Sequence, residues 1–203
     1  VVAYDRGGIG GSAPDGVEPT ARHVAENLHR LLAALGARPP YVLVGHSLGG
    51  PFIRMFTELY PAEVRGLVYI DPLPTTSRAE REALERAMGL WESSRSMFEA
   101  LQREQLPGMP PAVRAEAEMM INQRLAHWPD FQNLSPMPEV PVTILMAGRY
   151  DPRADDGLER DCAPRQCHTQ VLEVMREFYA SRASEVIRGM LTVVSDAGHF
   201  VQN

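Results

Sequence analysis

Residues 41–50 read YVLVGHSLGG. Tyr41 to Val44 form a short β-favouring run, and it ends in a turn where Ser47 stands between Gly45 and Gly49. Such a run predicts a strand, and the chain from about Leu48 to Tyr60 predicts a helix stopped at Pro61. A passage from strand to helix this tight forces its central residue into strained backbone geometry. Glycines two residues to either side remove side chains that would collide with the neighbouring strand and helix. The Ser47 hydroxyl is then lifted clear of the sheet edge, at a helix N-terminus whose dipole favours negative charge. A serine presented this way is a candidate nucleophile.

Working outward, VVAY (1–4) is a second β-favouring run, followed by the turn-rich DRGGIGGSAPDG. Val24, Leu28, Leu31, Leu32 and Leu35 share one helical face, with Thr20 as N-cap and Gly36 and Pro39-Pro40 as terminators. GLVYI (66–70) predicts a strand ended by DPLP, and VPVTILMAG (140–148) and LTVV (191–194) predict two more. A further helix is expected around Val171–Tyr179. Alternation of strand and helix with short links means parallel strands joined by crossover helices, an α/β fold. Apolar strands without alternation predict a sheet covered on both faces. Residues 72–139 contain no strand signal and read as two or three helices broken by LPGMPP (106–111). They predict a helical insertion between two halves of a core, 1–71 and 140–203.

The totals set bounds. With 44% hydrophobic and 23% charged residues in 203, the chain is a globular domain rather than a disordered one. A formal charge of −6 without any Lys/Arg-rich run argues against a nucleic-acid surface. No apolar stretch reaches the roughly 18 residues of a membrane-spanning helix. Cys162 and Cys167 are close enough for a local disulfide, and two free thiols fit equally well, so compartment stays open. Only His168 stands near them as a third ligand, which makes a metal site there unexpected.

A serine hydroxyl needs a base. His199, in SDAGHF, directly follows a strand, whereas His23, His29 and His127 fall in helices, His168 in a loop, and His46 beside the serine. A histidine base needs an acceptor on its other nitrogen. Two aspartates end strands, Asp151 in AGRYDP and Asp71 in YIDP. The order Ser…Asp…His favours Asp151. Asp71 is the alternative acid, or else a turn residue at the start of the insertion.

The segments VVAYDRGGIGGS, YVLVGHSLGG, EVRGLVYIDP, PVTILMAGRYDP and VVSDAGHFVQ resemble, in order and spacing, the α/β-hydrolase superfamily and its helical-cap, esterase-like branch. The resemblance spans nearly the whole chain. It implies Ser47 as nucleophile, Asp151 as acid, His199 as base and the Leu48 N–H as an oxyanion donor, with residues 72–139 as a cap over the site. Members that use aspartate as nucleophile, the epoxide hydrolases and haloalkane dehalogenases, do not fit Ser47. Relatives carry three strands before the one resembling VVAYD, and the third supplies a second oxyanion donor. The chain therefore reads as a piece of a longer one, with a gap in its sheet. One missing donor typically costs about 10²–10³ in rate, so this piece is expected to be poorly active and marginally stable.

The expected reaction is hydrolysis of a small, apolar carboxylic ester through an acyl-enzyme, chemistry that needs no cofactor and no metal. A lactonase, C–C bond hydrolase, aminopeptidase or cofactor-free perhydrolase of the same fold is an alternative, and a weakly catalytic ligand-binding protein is an alternative of another class. Met88, Trp91, Met97, Phe98, Met119 and Met120, together with Met109 and Trp128, are candidates to line an adaptable pocket, or simply to hold the cap helices together. Oligomeric state is not legible.

Overall fold

A computed structural model describes residues 1–88, 104–149 and 164–201. The described elements are α1 (Ala21–Ala34), β1 (Tyr41–His46), α2 (Gly49–Leu59), β2 (Val64–Ile70), α3 (Arg78–Ala87), α4 (Pro111–Leu125), β3 (Val142–Ala147), α5 (Pro164–Ser184) and β4 (Gly189–Val194). The four strands form one parallel sheet in the order β1-β2-β3-β4. The fold is α/β, and each strand's C-terminal end meets the same rim. Thr20 caps α1 as expected, its side chain accepting from the His23 N–H. The last crossover helix is longer than the sequence indicated, because Pro164 can open a helix at its first turn.

The main core joins Leu43, Leu67, Val142 and Ile144 of the strands to Val24, Phe52, Phe56, Tyr179 and Ala183 of the helices. Met119 of α4 belongs to it too, so the insertion shares the core rather than sitting apart. A smaller cluster, Leu106 and Ile121 with Met109 and Met120 against it, ties the described part of the insertion together.

Two expectations are corrected. VVAY forms no strand; Val1, Val2 and Tyr4 are exposed. The segment is held by side chains instead: Arg6 donates from Nε and Nη2 to both Glu116 carboxylate oxygens of α4, at 2.6 Å each, and lies over the Phe52 ring. The outer strands β1 and β4 are also not covered on both faces. Val42 and Val44 of β1 are 54% and 58% exposed, and Met190 and Val193 of β4 are exposed as well. Leu43 and Gly45 point inward, so β1 alternates in burial although its sequence does not alternate in polarity. Among the described residues no helix is long and apolar enough to cross a membrane.

Candidate active site

The pairing of β1 with β2 sets His46 opposite Ile70, so the next residues, Ser47 and Asp71, emerge side by side at the rim. Ser47 donates its N–H to the Ile70 carbonyl at 3.0 Å, and its own carbonyl accepts from Gly50 and Leu73. Its φ is 51°, a left-handed value that a serine adopts only under constraint. The flanking glycines are not equivalent. A Cβ on Gly45 would lie 2.4 Å from the Gly49 carbonyl oxygen, and one on Gly50 would lie 2.7 Å from the Pro72 Cβ. A Cβ on Gly49 would meet nothing within 4 Å. Gly45 and Gly50 thus make room for the turn, and the expectation for Gly49 is corrected. Leu48 is the N-cap of α2 with no side-chain cap, which leaves its amide at the unsatisfied end of the helix.

Asp71 is also left-handed, at φ 39°. It is gripped on both sides: its N–H donates to the Leu145 carbonyl at 2.7 Å, and its Oδ1 accepts from the Ala147 N–H at 3.0 Å. The remaining oxygen, Oδ2, lies 2.6 Å from Nδ1 of His199. An ionised carboxylate can only accept, so the imidazole proton sits on Nδ1 and leaves Nε2 with a lone pair. Tyr179 of α5 steadies the next residue, donating its hydroxyl to the Pro72 carbonyl. Burial, and then the Asp71 charge, push the Tyr179 phenol well above its ordinary value.

His199 arrives on the chain beyond β4. The Ala197 carbonyl there accepts from the Gly148 and Arg149 amides after β3, each at 3.1 Å. The structure thus brings together His199 and Asp71, with Ser47 on the strand next to Asp71. Asp151 lies outside the described residues, as do Cys162, Trp91, Met97 and Phe98. Met88 and Met119 are buried, Met119 in the main core, and Met120 packs on the smaller cluster. Trp128, 1% exposed, packs edge-on against Phe131. A cavity of about 610 Å³ beside Gly50 and Pro72 is walled by Tyr69, Phe131 and Phe178 together with the charged Arg54, Glu80 and Arg182; neither Ser47 nor His199 lines it, and nor do Met88, Met119 or Met120.

His23 and His29 of α1 have local partners, His23 with Asp15 at 2.7 Å and His29 with Glu63 at 3.1 Å while stacked on Tyr60, and His127 lies in a turn after α4 rather than in a helix. Sequence reasoning passed over two residues, His46, whose ring reaches the His199 backbone, and Tyr179. Position at a strand end beside the serine was the available signal for His46; nothing local marks Tyr179. Among the described residues no group of three His, Cys, Asp or Glu side chains could hold a metal ion.

The alpha/beta hydrolase family matches residues 1–203. The chain is 33% identical over 72 residues to the uncharacterized protein YqjL of Bacillus subtilis, covering 36% of this chain and 28% of that protein. It is 35% identical over 75 residues to an AB hydrolase superfamily protein of Gibberella zeae, covering 35% of this chain and 23% of that one. The aligned stretches span about a quarter of those relatives. Among solved structures, a probable hydrolytic enzyme from Pseudomonas aeruginosa superposes with TM-score 0.56 at 19% identity, covering 98% of this chain and 70% of that one. An esterase from Exiguobacterium antarcticum superposes with TM-score 0.53 at 16% identity, covering 95% and 72%. At these identities the structural likeness concerns the fold.

Proposed function

The chain belongs to the alpha/beta hydrolase family, and we propose from that premise that it is a serine hydrolase of carboxylic esters, with Ser47 as nucleophile, His199 as base and Asp71 as acid. The observation that carries the reading is the 2.6 Å contact of Asp71 Oδ2 with His199 Nδ1, beside a serine held at positive φ. That contact also favours Asp71 over Asp151, which chain order alone had preferred.

The steps follow from these groups. His199 Nε2 accepts the Ser47 Oγ proton as Oγ bonds to the ester carbonyl carbon. The carbonyl oxygen becomes an oxyanion at the N-terminus of α2, where the Leu48 N–H is one donor. The imidazolium, stabilised by Asp71, passes its proton to the departing alkoxide, which leaves as the alcohol. Water then loses a proton to Nε2 and attacks the acyl-serine carbon. As this second adduct collapses, the proton returns to Oγ and the carboxylic acid departs.

Residues 72–139 are proposed as a lid over this rim. The structural similarity to an esterase is in keeping with esters as the substrate class. Labelling with a fluorophosphonate probe tests the reading. We expect stoichiometric modification at Ser47, none in Ser47→Ala and strongly slowed modification in His199→Ala. A protein that stays unlabelled would instead be a ligand-binding member of the family.

A further inference from the structure

Resting on the roles proposed for Ser47 and His199, we infer that His46 is a positioning residue that ties the base to the nucleophile's own strand. His46 is the last residue of β1 and directly precedes Ser47. Its Nε2 lies 2.7 Å from the His199 carbonyl oxygen, across 153 residues of sequence. A carbonyl can only accept, so His46 carries its proton on Nε2 and donates it there. The two imidazole centroids are 4.6 Å apart, tilted by 44°, and the Phe200 ring is 5.6 Å from His46.

Two further ties of this segment lead elsewhere. The Ala197 carbonyl is held from the chain after β3, and the His199 ring is held by Asp71 at the end of β2. Neither bonds the base directly to β1, the strand that leads into Ser47. The His46 bond does so from one residue away, so a shift of the β1 terminus moves nucleophile and base together. The reaction passes a proton between Oγ and the His199 ring twice, and misplacement of such groups by about 1 Å can cost on the order of 10²-fold in rate. The donated proton stays with a backbone carbonyl, so His46 takes no part in proton transfer and acts through His199.

The test compares His46→Met with His46→Gln, side chains of similar length of which only glutamine can donate. The readouts are the rate of fluorophosphonate labelling at Ser47 and kcat and KM on a p-nitrophenyl ester. In His46→Met, labelling and kcat should fall about 10–100-fold with KM within about threefold, the pattern of lost transition-state geometry. In His46→Gln both should return to within about threefold of the unsubstituted protein. Should the methionine variant unfold, His46→Leu serves in its place. Unchanged labelling in the donor-less variant, or a glutamine variant as slow as it, would overturn the inference while leaving the hydrolase reading intact. Failure of the unsubstituted protein to label would remove both.

Discussion

Ser47 and Asp71 are neighbours at adjacent strand ends, and both are held at positive φ, 51° and 39°. Side-chain-bearing residues avoid this region at a cost of order 1–3 kcal/mol each, so surrounding contacts must impose it. At Ser47 the space left by Gly45 does so. Gly45→Ala would drive a methyl into the Gly49 carbonyl, a backbone atom that cannot swing aside. We expect it to cost about 1–3 kcal/mol of stability and to abolish labelling of Ser47. Gly49→Ala, which meets open space, should stay within about 0.5 kcal/mol and label normally. Thermal melts and the probe check the pair, and equal behaviour of the two variants would contradict the account of the turn. At Asp71 the restraint comes partly through Tyr179, 5% exposed and bonded to the Pro72 carbonyl. Tyr179→Phe leaves that buried carbonyl without its donor, an expected loss of about 1–3 kcal/mol in urea unfolding.

At the scale of elements, α3 begins with a reciprocal cap: Ser77 accepts from the Glu80 N–H while the Glu80 carboxylate accepts from the Ser77 N–H. Glu80 also pairs with Arg182 of α5, so the cap links the insertion to the core. Ser77→Ala should cost about 1 kcal/mol, read from the melting midpoint. The loop before α1 is fastened by Asp15, which accepts from Asn27 and the Val17 N–H and contacts His23. The His23 contact first, then the Val17 and Asn27 bonds, lower the Asp15 carboxyl from 3.8 to about 2. A carboxyl lowered on folding stabilises the fold above its unfolded value and ceases to do so as it is protonated. Stability should therefore decline as pH falls from about 4 to 2, and Asp15→Asn should flatten that decline in pH-dependent melts; salt should weaken the effect, since the carboxylate is exposed. The sequence disclosed β1 to β4 because each is a short β-favouring run between turn signals. VVAY carries the same signal and is no strand, because β-propensity describes how residues fit a sheet that is already there. Val42 and Val44 misled in the same way: an apolar run cannot say which of its faces finds a cover.

At the scale of the molecule, the parallel sheet gathers chemistry that the sequence scatters. Every strand ends at one rim, so Asp71 and His199 meet despite lying 128 positions apart, and Ser47 follows the neighbouring strand end. Ser47 and His199 stand out in the sequence as candidates, since one sits in a turn with mechanical demands and the other follows a strand. The acid does not. Asp71 and Asp151 both follow apolar strand runs and both precede proline, and the reading rests on the Asp71 contact with His199. The most direct measurement is kcat/KM on a p-nitrophenyl ester for Asp71→Asn beside Asp151→Asn. The account predicts a loss of about 10⁴-fold for Asp71→Asn, the scale on which a triad suffers when its histidine takes the wrong tautomer, and a far smaller one for Asp151→Asn. The reverse ranking would contradict it.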